Sequence, residues 1–289
     1  MEQILHWGLD VVLAVQSAAH PVLTLLMKVI TFCGSEYFYL LILPFLYWCV
    51  DERKGMRFGL AAILSGYTNE VLKGLVMQPR PYDLKPEVGM VHEESSAFPS
   101  GHSQNSVVFF GLLADFLPRR LGRLLAVLMP LLIGFSRVYL GAHFPTDVLA
   151  GWAAGLLFLL LCRKAGPWIE KRLSSLSILR RLALVILAAA VMVVTSKRDI
   201  SLAGVFLGAG IGFIFRTERG KAGGLSPAVK ALRYLLGIAV AAGLYLGLKT
   251  LFPGPEAGLY VPLRFLRYGV IGFWVSFGAP WLFSTVKLE

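Results

Sequence analysis

Cysteine is nearly absent from this chain, with 3 residues in 289, and Cys33, Cys49 and Cys162 all lie within or at the edges of apolar runs. An odd count without paired spacing gives no disulfide framework and no zinc-ligand motif, so they read as small packed hydrophobes. Charge is scarce too: 16% of residues are Asp, Glu, Lys or Arg, against 56% hydrophobic ones, and mean hydropathy is +0.69. Soluble domains average about 25% charged residues, so this shortfall points away from a soluble fold and toward an integral membrane protein. A basic leader is also missing. The opening MEQILHWGLDVV therefore reads as interfacial, or as the start of a first span, rather than as a cleaved secretory signal.

What is present is a succession of apolar runs near the length of about 20 residues that crosses a bilayer as a helix. The pattern predicts spans near 11–32, 37–50, 56–77, 99–117, 121–140, 145–163, 182–196, 200–215, 229–250 and 268–286. The expected fold is all-α, a polytopic membrane helical bundle.

The net charge of +11 could suggest nucleic acid, but the basic residues cluster in short connections between spans, as membrane topology demands. Arg53, Lys54 and Arg57 share one connection, and Arg119, Arg120 and Arg123 another. Arg163, Lys164, Lys171, Arg172, Arg180 and Arg181 form a third group, and Arg216, Arg219 and Lys221 a fourth. With the spans above, all four fall on one side, and the positive-inside rule makes that side the cytoplasm. Both termini are then expected to be cytoplasmic, in a cytoplasmic (inner) membrane, and no nucleic-acid partner is expected.

A second set of polar residues gathers at the outward ends of predicted spans: KGLVMQPRP (Lys73 to Pro81), PSGH (Pro99 to His102) and SRVYLGAHFPTD (Ser136 to Asp147). Ionisable groups at membrane depth are costly and mark functional sites. Lys73, Arg80 and Arg137 bring three positive charges, and the arginine fork suits phosphate oxygens. In PSGH, Ser100 and Gly101 stand where a span begins, so backbone N–H groups and the helix dipole face an anion. His102 and His143 can divide a phosphoryl reaction between nucleophile and proton donor. Asp147, four residues after His143, can fix the imidazole tautomer. Pro145 suits the first turn of a helix beginning there.

These segments match KxxxxxxRP, PSGH and SRxxxxxHxxxD, and over residues 35 to 163 the chain resembles the type 2 phosphatidic acid phosphatase superfamily. The resemblance implies a six-helix phosphatase core, followed here by about four additional C-terminal transmembrane helices. It implies that Lys73, Arg80, Arg137, Ser100 and the Gly101 backbone bind the phosphoryl group. It further implies that His143 is the nucleophile forming a phosphohistidine, Asp147 its orienting partner and His102 the general acid. No metal and no cofactor are implied. The expected substrate is a lipid phosphate or diphosphate, attacked at the outer face of the membrane.

The expected division is a phosphatase core at 1–165, a basic cytoplasmic linker at 166–181 and C-terminal spans at 182–289. Those last spans are rich in Gly and Ala, and offer close helix packing, a homodimer contact, a lipid-tail groove or transport as roles. A phosphotransferase using the same phosphohistidine, a sugar-phosphate phosphatase and a lipid transporter with a headgroup site are the rival functions. Between the first two motifs, Asp83, Lys85, Glu87, His92, Glu93 and Glu94 read as a solvated loop beside the pocket, with a possible say in headgroup choice. Tyr82 and Tyr139 are candidates either for the pocket edge or for interfacial packing.

Overall fold

The structure, a computed structural model, describes residues 2–196, 199–216 and 224–288. Arg219 and Lys221 of the fourth basic group lie outside the described residues. Of the described residues 81% are helical, and no strand occurs among them. The helices run in order α1 (Glu2–Gln16), α2 (Pro21–Phe32), α3 (Glu36–Cys49), α4 (Glu52–Leu75), a short α5 (Pro81–Leu84), α6 (Gly101–Leu113), α7 (Arg119–Tyr139) and α8 (Pro145–Ser174). They continue with α9 (Ile178–Thr195), α10 (Ser201–Phe215), α11 (Pro227–Leu251), α12 (Tyr260–Phe273) and α13 (Ala279–Thr285).

Among the described residues four helices, α7, α8, α9 and α11, are long and apolar enough to cross a membrane, and α2 with α3 forms a fifth candidate bent by 47°. The span expected at 11–32 is instead two helices, because the chain turns at Ala19–His20. There His20 caps α2 by accepting from the Val22 N–H, with Pro21 at the first helical position. In the other direction, α8 runs on to Ser174, so the stretch expected to be a linker begins as helix. No capping signal interrupts it before Ser175, and Pro167 is accommodated within it.

The long helices are inside-out relative to a soluble fold. On α7 the residues Leu121, Leu124, Leu128, Leu131 and Phe135 form an exposed apolar stripe at helical spacing. Its opposite face buries Gly122, Gly134, Ser136 and Arg137. Leucines are likewise exposed on α8, at 149, 156, 157, 160 and 161, while Asp147, Gly151 and Gly155 are buried. Only hydrocarbon solvates such a surface without penalty, and this makes the chain a multi-pass membrane protein.

Two compact units divide the chain, 1–40 with 68–166 and 41–67 with 167–289. This differs from the three-part division expected above, since 41–67 clusters with the C-terminal residues. In the first unit, α8 approaches α6 closely through small residues. A Cβ on Gly151 would stand 2.6 Å from the Ser100 carbonyl oxygen, and one on Gly155 2.5 Å from that of Gln104. The turn from α7 to α8 needs Gly141, whose φ is +67° and whose Cβ would lie 1.9 Å from the Val88 carbonyl oxygen. Gln16 of α1 braces the same turn, donating to the carbonyls of Val88 at 2.8 Å and Tyr139 at 2.9 Å.

The second unit packs α10 on α12 through Gly204, Gly208 and Gly212, whose missing side chains admit the α12 backbone and Ser276. Between α12 and α13 the helix widens to a π segment over Trp274–Gly278. Such a segment leaves carbonyls without their usual helical donors. Tyr47 donates to the Ser276 carbonyl at 2.8 Å and the Trp48 indole to that of Val275 at 2.9 Å.

Candidate active site

All eight residues singled out in the three motifs fall in the first unit. Lys73 ends α4, Arg80 caps α5, Ser100 caps α6, Gly101 and His102 open it, Arg137 closes α7, His143 lies in the α7–α8 turn and Asp147 opens α8. Hydrogen bonds and ion pairs join them into one cluster.

The α8 start organises His143. With Pro145 at the first helical position, Asp147 stands at the third and reaches back to the Phe144 N–H at 2.9 Å, one half of a capping box. The same Oδ2 lies 3.4 Å from His143 Nδ1, and Oδ1 accepts from the Gln78 amide at 2.7 Å. His143 Nε2 lies 3.3 Å from Arg80 Nη1. A guanidinium can only donate, so Nε2 carries a lone pair and the imidazole proton sits on Nδ1, toward Asp147. Burial, followed by the charges of Arg137, Arg80 and Lys73, holds His143 well below the usual imidazole range. It is therefore neutral at neutral pH, with its lone pair at Nε2 facing Arg80.

Arg80 and Arg137 are each 2% exposed. Arg80 spreads its fork across the loop and the α7–α8 turn, donating to the carbonyls of Ser95 (2.7 Å), Ser96 (3.2 Å) and Ala142 (2.9 Å) and to Ser95 Oγ (3.1 Å). Arg137 donates to Thr31 Oγ1 at 3.0 Å. Lys73 Nζ donates to the Ser96 carbonyl, and Ser96 Oγ donates back to the Lys73 carbonyl at 3.1 Å. Arg80→Lys keeps the charge but loses the fork. We expect the variant to melt several degrees lower than wild type, because the 93–96 loop loses its anchor; an unchanged melting temperature would count against that bracing role.

The α6 start is held from below. Ser100 is fully buried, and its Oγ accepts from the Ser103 N–H at 3.3 Å and from Ser103 Oγ at 3.0 Å, which leaves its own hydroxyl hydrogen available. The Ser100 N–H donates to the Asp147 carbonyl at 3.0 Å, tying this helix start directly to α8. Gly101 is required for clearance, since a Cβ there would stand 2.8 Å from Asn69 Oδ1. Asn69 in turn donates to Gln104 Oε1 at 3.0 Å.

Sequence reasoning missed Glu93. It was expected in a solvated loop beside the pocket with a say in headgroup choice; instead of being solvated it forms ion pairs with Arg80 (3.0 Å) and with Arg137, and lies 3.7 Å from His102 Nδ1. Tyr82 pins it, donating to the Glu93 carbonyl at 2.9 Å and accepting from its N–H at 3.0 Å. Tyr139, by contrast, is buried and bonds Thr24 at 2.8 Å, a packing role. Gln78, Asn69, Gln104 and Thr31 were also missed; Thr31 is a polar side chain in an apolar run, a signal that could have found it, whereas Asn69 and Gln104 stand among other polar residues. Among the described residues, no group of three or more His, Cys, Asp or Glu is placed to hold a metal ion.

Burial pushes the Glu93 carboxyl up, but the positive charges around it, Arg137 foremost, outweigh this and bring it down to about 2 from 4.5. A carboxyl depressed in the fold contributes stability that is fully present above its unfolded value and is lost as pH falls through the folded one. Wild-type melting temperature should therefore fall between pH 4.5 and 3 more steeply than that of Glu93→Gln; parallel curves would contradict the assignment.

The PAP2 superfamily matches residues 54–171, and the transmembrane extension of PAP2 superfamily phosphatases matches 200–289. Phosphatidylglycerophosphatase B of Bacillus subtilis is 42% identical over 104 residues, covering 33% of this chain and 49% of that protein. Human sphingosine-1-phosphate phosphatase 2 is 31% identical over 146 residues, covering 47% and 36%. The match thus spans about half or less of the length of these curated relatives. In fold, the chain is similar to the crystal structure of a transmembrane PAP2-type phosphatidylglycerolphosphate phosphatase from Bacillus subtilis, with a TM-score of 0.51 and 28% identity over 58% of this chain and 89% of that one. With its motif residues gathered into one cluster and both matches in sequence order, the chain belongs to the PAP2 superfamily and carries that superfamily's transmembrane extension.

Proposed function

We propose that the protein is a phosphatase that hydrolyses a phosphate monoester or diphosphate of a membrane lipid through a phosphohistidine on His143. The observation that carries this reading is the orientation of the buried imidazole, with Nδ1–H toward Asp147 and the Nε2 lone pair beside Arg80. Nε2 attacks phosphorus, and the bond from phosphorus to the leaving oxygen breaks. The imidazolium form of His102 gives that oxygen its proton and is left neutral. Then His102 accepts a proton from water, the water oxygen attacks phosphorus, and the N–P bond breaks to release phosphate and restore Nε2.

Lys73, Arg80, Arg137, the Ser100 hydroxyl and the Gly101 N–H at the α6 start neutralise the charge on the equatorial oxygens. In this reading that charge stabilisation comes from side chains and backbone. The named activities of the relatives, on phosphatidylglycerophosphate and on sphingosine phosphate, support a lipid phosphate as the substrate class. The exposed apolar faces of α7 and α8 support delivery from within the bilayer. The basic clusters at the connections support an active site facing away from the cytoplasm.

Phosphate release by detergent-purified protein tests the reading, with chelator present and phosphatidate, phosphatidylglycerophosphate, sphingosine phosphate, undecaprenyl diphosphate and glucose 6-phosphate offered in turn. Release from one or more lipid substrates is the expected result. Release from the sugar phosphate alone, or from none by folded protein, would overturn it.

A further inference from the structure

We infer that Glu93 is a resident anion that occupies the phosphoryl-binding position of the site and must be displaced by substrate, which makes it a specificity-determining residue. The inference rests on the phosphatase reading for what displaces the carboxylate, but not for the displacement itself.

Two guanidinium groups that are 2% exposed cannot stay uncompensated in a membrane protein. Glu93 supplies the compensation, with Oε2 on Arg80 Nη2 at 3.0 Å and Oε1 on Arg137 Nη2. One carboxylate thus bridges the two arginines that the motif reading assigns to phosphate, and His102 stands 3.7 Å from the same Oε1. A bidentate anion between two arginine forks, next to the candidate acid, has the placement that a phosphoryl group needs.

The compensation is incomplete. Arg137 Nε is buried and has no hydrogen-bond partner among the described residues. A buried donor left unmet is costly, and a carboxylate has only two oxygens, both already engaged. A phosphoryl group brings three oxygens and up to two negative charges, so it can satisfy the arginines and still have an acceptor to offer. A phosphodiester, with one negative charge, gains no charge over the carboxylate it must replace. The exchange therefore favours monoester and terminal diphosphate groups over the diesters that make up the surrounding bilayer.

The device has a hinge point. Tyr82 holds the Glu93 backbone by both its N–H and its carbonyl, so the carboxylate is presented by a clamped loop and not by a free side chain.

Orthovanadate binding to full-length protein in detergent tests this by calorimetry on wild type, Glu93→Gln, Tyr82→Phe and, as a control, the exposed Glu87→Gln. Because vanadate no longer has to displace a charged carboxylate, Glu93→Gln should bind it about ten-fold or more tightly than wild type. Tyr82→Phe should fall between them and Glu87→Gln should match wild type. The Glu93→Gln protein should also melt lower than wild type and regain the difference with vanadate, because the arginines are then compensated again. Equal or weaker vanadate binding by folded Glu93→Gln would overturn the inference and make Glu93 a brace for the arginines. No vanadate binding by either protein would overturn it as well. Tightened binding without turnover of any lipid phosphate would uphold the displacement and sink the phosphatase reading instead.

Discussion

Replacing His143 by alanine is expected to abolish the covalent phosphoenzyme and to lower lipid phosphate release by at least about 10³-fold, with substrate binding largely kept. The expectation follows from placement. His143 is fully buried between the carboxylate that holds its Nδ1–H and the guanidinium beside its Nε2, and burial together with positive neighbours keeps it neutral. A neutral imidazole with its lone pair free is a nucleophile, whereas an imidazolium is not. The check is acid-stable trapping of radiolabelled phosphate on wild type and variant, beside steady-state release. A variant that still forms the phosphoenzyme would move the nucleophile elsewhere, with His102 first in line.

Asp147→Asn is expected to leave slow turnover, reduced by about 10²- to 10⁴-fold, with the phosphoenzyme still detectable at long times. Asparagine can keep the contacts to the Phe144 N–H and Gln78, so the fold of the α8 start survives. What it loses is the charge that favours the Nδ1–H tautomer and stabilises positive charge on the ring as the N–P bond forms. The loss should therefore appear in kcat more than in KM. Full activity in this variant would remove the orienting role from Asp147, and a loss confined to KM would reassign it to substrate binding.

Much of the site was legible because its residues contradict their surroundings. Arg80, His102, Arg137, His143 and Asp147 are ionisable groups beside apolar runs, and their fixed spacings allow few arrangements. Glu93 was not legible for the opposite reason: it sits among Glu94, His92 and serines, where a solvated acid is the ordinary expectation. Only the long-range approach of Arg80 and Arg137 turns it inward. The all-helical character followed from the apolar runs, but their ends did not. The break at Ala19–His20 depends on a side-chain cap, the extension of α8 to Ser174 on the lack of one, and the π segment at Trp274–Gly278 on carbonyls taken up by Tyr47 and Trp48. None of these leaves a hydropathy signal.

The hydrogen bond from the Ser100 N–H to the Asp147 carbonyl, and the glycine contact of α8 on the Ser100 carbonyl, join the α6 start and the α8 start that supports His143 into a single block. The loop bearing Glu93 hangs on that block through arginine side chains and Tyr82. The loop does not stand apart from that block, because Val88 of the same segment is buried and its carbonyl takes the Gln16 amide at the α7–α8 turn. An insertion between 99 and 104 or between 143 and 151 is therefore expected to shift both helix starts at once.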